Sequence, residues 1–263
     1  MAGVIGGIGD DEFAGQSAII TGGGTGIGRA TALALASRGA DITLASRKVD
    51  NLEQVAKEIA ALGRRALVVT TDVRRPEDIA AMAERHLAEF GACEVLVNNA
   101  GGSYQMPFAD WTLDAWEKMI DLNLRAVFLA MQAIGPSMVA NGRGAIVNVS
   151  SRSAANPNPM VGPYGAAKAG VEYLTTTMAA AWGPAGVRVN CVRVGTVESE
   201  GFLRAMAQAG RKVSEVGANS ALGRNGQPSE IANVIMFLAS SAASFVSGQT
   251  LAADGGPLPH GGA

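Results

Sequence analysis

The chain has 263 residues, 48% of them hydrophobic and 17% charged, with a formal net charge of −2. That is enough apolar chain for one substantial core, and nearly balanced, interspersed charges argue against a nucleic-acid surface. Two cysteines, Cys93 and Cys191, do not make a disulfide framework, and His86 and His260 have no thiol or carboxylate neighbours at metal-ligand spacing, so no metal chemistry is expected.

Residues 1–13 read as a flexible leader, because the glycine-rich Gly3–Gly9 runs into Asp10, Asp11 and Glu12 and no helix follows. It lacks the positive start and long apolar stretch of a secretory signal. Strand-like runs then fall near 17–21, 41–45, 66–71, 94–97, 145–150, 187–192 and 249–253. Between them come helical patterns near 26–38, 50–62, 76–90, 113–139, 162–182 and 228–239, edged by Asp50, Gly63, Pro76, Gly91, Gly183 and Pro228. This alternation predicts an α/β fold: a doubly wound, Rossmann-like, seven-stranded parallel sheet with helices on both faces, forming a single domain over 14–257 with 258–263 as a tail. We see no apolar run of membrane-spanning length and expect a soluble protein without a membrane partner. Ligands should sit beyond the carboxyl ends of the strands.

Three places along this frame carry chemistry. The first strand ends in Thr21-Gly-Gly-Gly-Thr-Gly-Ile-Gly28 and a helix follows directly. A glycine-rich strand-to-helix turn lets backbone approach a pyrophosphate and aims helix N-terminal amides at its charge, although the spacing of Gly22, Gly26 and Gly28 departs from G-x-G-x-x-G. The second strand is followed by Ser46, Arg47 and Lys48. A carboxylate there would bind the adenosine ribose hydroxyls of NAD(H) and repel a 2′-phosphate. Ser46 lacks that charge while Arg47 offers a charge-assisted fork, with Lys48 able to share the role, so NADP(H) is favoured over NAD(H). The third is Tyr164-Gly-Ala-Ala-Lys168, a helical spacing that stacks phenol and ammonium on one face, with Ser151 closing the apolar run 145–151 upstream. A phenol titrates near pH 10, so a nearby ammonium and a positive nicotinamide ring would bring it within range of proton transfer at neutral pH.

With Asn98-Asn-Ala-Gly101 and Asn123, these motifs fall in the order and spacing of the short-chain dehydrogenase/reductase family, which the chain resembles from about Phe13 to Pro257. The resemblance implies hydride transfer between nicotinamide C4 and a carbonyl carbon, with Tyr164 giving or taking the oxygen's proton and Ser151 polarising that oxygen. It implies that Lys168 lowers the tyrosine pKa and holds the nicotinamide ribose, and that Asn123 holds a water linking Lys168 to solvent. Asn123 also reads as a helix-kinking side chain bonded to backbone. Cofactor contacts carried over by position are Gly22, Thr25, Gly26, Ile27 and Gly28 in the turn, Asp72 and Val73 at the adenine, Asn99, Ala100 and Gly101 beside the ribose, and Val194, Gly195, Val197 and Ser199 at the nicotinamide. Thr25 stands where the family often has a basic residue. Val194 replaces the family's usual proline, which opens the possibility of a loosened wall; Ser199 keeps the hydroxyl of a usual threonine. Asp254 reads as structural or interfacial.

Substrate identity lies in the stretches after Gly102, from Ser153 to Pro163, and in a lid over roughly 196–221. Ser103, Tyr104, Gln105, Met106, Asn156, Met160, Phe202, Leu203 and Met206 are the candidate lining, the last three equally readable as core. The substrate is then a small-molecule carbonyl or alcohol; acyl thioesters, steroids, small ketones and sugars all fit. Three readings compete: a carbonyl reductase or alcohol dehydrogenase, an enoyl or dienoyl thioester reductase suggested by Ala45-Ser-Arg-Lys48 and Ala242-Ala-Ser-Phe245, and a non-catalytic nucleotide sensor. The intact Tyr164 and Lys168 favour the first. The resemblance also implies a homo-oligomer, tetramer or dimer, built on the helices near 113–139 and 162–182, and the cysteine usage suggests the cytoplasm.

Overall fold

In a computed structural model of the chain, residues 8–213 and 220–257 are described. Seven strands form one sheet: β1 (Ser17–Thr21), β2 (Asp41–Ser46), β3 (Ala66–Thr70), β4 (Val95–Asn98), β5 (Gly144–Ser151), β6 (Val187–Val194) and β7 (Thr250–Ala253). Their spatial order is β3-β2-β1-β4-β5-β6-β7, every pairing parallel. The order reverses between β1 and β4, so the chain leaves the sheet in opposite directions on either side of that point and opens a crevice above the strand ends.

The connecting helices are α1 (Gly26–Ala36), α2 (Val49–Ala61), α3 (Pro76–Phe90), α4 (Leu113–Ile120), α5 (Ala126–Ala140), α6 (Gly162–Trp182), α7 (Glu200–Gln208) and α8 (Pro228–Ala239). Two apolar layers hold them to the sheet. On one face Leu35 of α1, Val55 and Ile59 of α2 and Ile235 of α8 pack on Ile20, Ile42 and Val147; on the other, Met82 of α3, Met131 and Ile134 of α5 and Val171 of α6 pack on Ile19, Leu96 and Ile146. Successive residues of one strand thus enter opposite layers, which is why the strands read as unbroken apolar runs.

The structure differs from the sequence reading at four points. The leader ends earlier than residue 13, because Phe13 is fully buried in the first layer and the Glu12 carboxylate accepts a hydrogen bond from Ser241 N at 2.6 Å; residues 1–7 lie outside the described part. The helix expected over 113–139 is broken by a π-helical turn, Asp121–Arg125, between α4 and α5. Taken together, Leu113–Ala140 is long and apolar enough by length and composition to cross a membrane, contrary to the sequence reading, yet Ala126, Val127, Ala130, Met131, Ile134 and Met138 of this segment are buried in the second layer. Finally, the stretch read as a lid, whose residues 214–219 lie outside the described part, contains a helix, α7, that periodicity does not reveal. Ser199 caps it, accepting from Phe202 N at 3.2 Å, and Met206 is its buried residue.

Candidate active site

The strand-to-helix turns converge on a cleft of about 670 Å³ at the crevice. Its floor is the glycine turn. Gly22 has φ +69° and Gly26 φ +54°, a region where a side chain is strained. Gly28 sits so close to the Gly22 carbonyl that a Cβ would overlap it, with Asn99 Nδ2 a further 2.7 Å contact. Gly28 does not line the cleft: its part is to let α1 approach the turn, whereas Gly22, Thr25, Gly26 and Ile27 line it directly.

The turn is pinned to its neighbour through Thr21. Its Oγ1 accepts from Asn99 N at 3.0 Å and Ala100 N at 3.1 Å and donates to Val97 O, while Asn99 Nδ2 donates to Thr21 O at 3.0 Å. The Asn98–Gly101 stretch is therefore both structure and wall, with Asn99, Ala100 and Gly101 on the cleft. Asn98 is wholly structural: its Nδ2 donates to Asn148 Oδ1, and Asn148 Nδ2 donates to Thr175 Oγ1, each at 2.9 Å.

At the ends of β2 and β3, Ser46, Arg47, Lys48, Asp72 and Val73 line the same cleft, joined by Asn51 and Thr71. The Asp72 carboxylate is clasped by Arg74, with Nε at 2.9 Å and an Nη at 2.5 Å, and this holds its pKa down to about 2. Its charge is thereby partly neutralised beside Arg47. On the far side, Val194, Gly195, Val197 and Ser199 close the wall. Val194 is buried as the last residue of β6 and pairs with Ser151 on β5 and Ala253 on β7, so the strand ladder holds the backbone where the family's usual proline is missing. A Cβ on Gly195 would stand 2.7 Å from Asp254 Cα, and the Asp254 carboxylate accepts from Gly256 N at 3.0 Å.

Ser151, Tyr164 and Lys168 all line the cleft, with Ser151 and Tyr164 hydrogen-bonded to each other. Ser151 closes β5, and its Oγ accepts from Ser153 N at 3.2 Å, turning the chain into the loop that leads to α6. Tyr164 lies in the first turn of α6 and Lys168 one turn further, its Nζ 5.8 Å from the tyrosine ring centroid. Lys168 Nζ donates to Val149 O at 2.8 Å, anchoring the lysine to the strand that carries the serine. Burial pushes the Tyr164 phenol above its usual pKa, against a hydrogen bond with Ser151 that pulls it down; burial also pushes Lys168 down to about 8. For the phenol, desolvation is the larger of these two effects, so its pKa lies above the usual value.

Asn123 is buried behind this group in the π-turn rather than on the cleft. Its Nδ2 donates to Met119 O at 3.0 Å and Gly102 O at 2.9 Å, and its Oδ1 accepts from Gly102 N at 3.0 Å. That is the backbone-bonded kink read from the sequence. A Cβ on Gly101 would fall 2.8 Å from Asn123 Oδ1 and 3.2 Å from Lys168 Nζ, so this bare backbone is what lets the three groups adjoin.

Of the candidate substrate residues, Met206 belongs to the packing. Tyr104 stacks on Trp111, ring centroids 5.1 Å apart, and Met106 N donates to Met160 O at 2.9 Å, strapping the loop after Gly102 to the segment before Tyr164. Residues not found from sequence also face the cleft: Gly24, Gly201, Arg204, Ala205 and Gln208, the last four from α7. The Ser199-Glu200 pair, a cap followed by first-turn acid, was the available signal for that helix. Among the described residues no cluster of three or more His, Cys, Asp or Glu side chains is arranged to hold a metal.

Residues 22–257 match the family model described as enoyl-(acyl carrier protein) reductase. The chain is 40% identical to cis-4-hydroxycyclohexanecarboxylate dehydrogenase of Sinomonas cyclohexanicum, covering 94% of this chain and 98% of that protein. It is 36% identical to peroxisomal 2,4-dienoyl-CoA reductase of Danio rerio, with 94% and 82% covered. Among solved structures, a short-chain type dehydrogenase/reductase from Mycobacterium marinum superposes with a TM-score of 0.87 at 34% identity, covering 94% of this chain and 96% of the other.

Proposed function

The chain belongs to the short-chain dehydrogenase/reductase family, and from that premise we propose that it is an NADP(H)-dependent oxidoreductase interconverting a secondary alcohol and a ketone, with Tyr164 as its proton-transfer catalyst. The observation that carries this reading is the meeting of Ser151, Tyr164 and Lys168 beside a glycine turn that has no room for side chains at Gly22 and Gly28. The turn fits a dinucleotide: bare backbone at the crevice and helix amides facing an anion. When bound, the nicotinamide supplies or accepts the hydride.

The protein's own groups handle the oxygen. In reduction, Tyr164 donates its proton to the carbonyl oxygen; in oxidation it accepts the hydroxyl proton. Ser151 holds that oxygen by hydrogen bonding and so favours the charge that develops there. Lys168, already held by Val149 O, has further N–H donors to offer the ribose and the phenol. Arg47 and Lys48, with Ser46 in place of a carboxylate and Asp72 partly neutralised by Arg74, support the 2′-phosphorylated cofactor.

The substrate we favour is an alicyclic secondary alcohol or ketone. Similarity to a hydroxycyclohexanecarboxylate dehydrogenase supports it. A thioester reductase is the second reading, favoured by the similarity to the dienoyl-CoA reductase and disfavoured by the intact Tyr164 and Lys168.

The test is turnover of cyclohexanones, 3-oxoacyl thioesters and dienoyl thioesters with NADPH and NADH, repeated with Tyr164→Phe. We expect ketone reduction with NADPH and a loss of about a thousandfold in the variant. A variant that retains the full rate overturns the proton-transfer assignment, and tighter binding of NADH than NADPH overturns the Arg47 argument.

A further inference from the structure

The amino end of α1 is where the proposed cofactor places its pyrophosphate, yet in this structure an acidic side chain already reaches it. Glu200, the first residue of α7, extends across the cleft, and its Oε2 accepts a hydrogen bond from Gly26 N at 2.7 Å. Nothing local to α1 does this job: its N-cap residue, Thr25, makes no side-chain capping bond. The approach is close in other atoms too, since a Cβ on Gly26 would stand 3.0 Å from Ser199 Cβ and 3.6 Å from Glu200 Oε2. A carboxylate at the positive end of a helix is an electrostatic likeness of a phosphate oxygen, and the two cannot share one N–H donor without strong repulsion.

We propose that Glu200 is a latch: in the cofactor-free protein it stands in for the pyrophosphate at Gly26, holds α7 down over the cleft, and must be displaced before a dinucleotide can seat. Displacement leaves the carboxylate with a partner at hand. Arg204 lies one helical turn further along α7 and lines the same cleft, so the i, i+4 geometry allows Glu200 to turn from the glycine loop to its own helix. Paired in this way, the Glu200 carboxylate no longer repels the phosphates from the amino end of α1. The apparent affinity for cofactor is the intrinsic affinity reduced by the fraction of molecules that are unlatched. The latch rests on the reading of the cleft as a dinucleotide site.

Two measurements on the full chain test it. The first is titration of NADPH and NADH by nicotinamide fluorescence with wild type, Glu200→Gln and Glu200→Ala. We expect Kd to fall about tenfold in Glu200→Ala, corresponding to roughly a tenth of wild-type molecules being unlatched, with a smaller fall in Glu200→Gln, whose neutral amide oxygen can still accept from Gly26 N. The second is limited trypsin digestion without cofactor, followed at Arg204, Arg211 and Lys212. Cleavage should be faster in Glu200→Ala than in wild type, and the difference should vanish when cofactor is saturating.

Equal or weaker cofactor binding by both variants overturns the latch, as does identical trypsin sensitivity of wild type and Glu200→Ala without cofactor. If wild type binds neither dinucleotide, and the Glu200 variants bind neither, the reading of the cleft fails and the latch fails with it.

Discussion

Tyr164 and Lys168 are both driven toward their uncharged forms by burial, and this has a consequence for stability. A buried lysine whose pKa is lowered from 10.5 to about 8 binds fewer protons in the folded chain than in the unfolded chain across that window. Stability of the cofactor-free protein should therefore rise as pH increases from 8 toward 10.5, by up to about 3 kcal/mol, and its full cost is present below pH 8. The raised phenol works the other way only above pH 10, where the folded chain keeps a proton that the unfolded chain has released. Urea unfolding between pH 7.5 and 10 reads the first effect directly; Lys168→Met should flatten the curve, and an unchanged slope in that variant would show that another group is responsible. The sign of these shifts was not legible from sequence. Tyr-x-x-x-Lys spacing shows that two side chains share a helix face, but how much water reaches them depends on Gly101, Val149 and the π-turn, which come from other parts of the chain.

At the scale of elements, the π-turn between α4 and α5 carries the most. A regular helix over 113–139 would rotate Asn123 relative to Met119 and Gly102; the wider turn lets its amide serve both. Asn123→Ala would leave the N–H and C=O of Gly102 and the carbonyl of Met119 without this partner, at a cost of about 2–3 kcal/mol. It should also weaken cofactor binding through movement of the Gly101–Gly102 turn. Chemical denaturation and fluorescence titration measure the two effects, and a variant as stable as wild type would show that the turn stands without the amide. The strands and most helices were legible because each parallel strand is apolar on both faces and each turn is marked by glycine, proline or a polar cluster. Helix α7 was not, because it is short, its buried residue is Met206, and its start, Ser199-Glu200-Gly201, reads equally well as loop. The Glu200–Gly26 contact was further out of reach: no spacing rule links positions 174 residues apart. Val194 gave the opposite lesson, since its effect on the wall depended on pairing with Ser151 and Ala253 that sequence alone does not display.

For the whole molecule, the apolar residues left on the outside are informative. Trp116 on α4, Phe128 on α5 and Tyr173 on α6 are 40%, 46% and 76% exposed, on the segments whose apolar character is otherwise spent on the second core layer. Large apolar side chains on neighbouring helices are a surface that association would cover. We propose that these helices pack against a second copy of the chain, giving a dimer or tetramer. Sedimentation should show a mass of two or four chains, and Phe128→Glu with Tyr173→Glu should lower it while circular dichroism stays native. A wild-type monomer at micromolar concentration would refute the proposal. The proposed active-site cleft lies at the strand ends while these residues lie on helix flanks, so loss of association should alter stability more than turnover.

One rung of the sheet joins matters usually treated apart. Ser151, Val194 and Ala253 sit side by side on β5, β6 and β7, so the serine proposed to hold the reacting oxygen and the residue proposed to back the nicotinamide belong to one rung of the strand ladder. An engineer who wished to reshape the proposed nicotinamide wall, by introducing a proline at 194 for example, would delete an amide from the ladder on which the serine's alignment depends. On the proposed function, cofactor geometry and catalytic alignment are therefore not separate dials, and redesign of either will have to treat the three strand ends as a single unit.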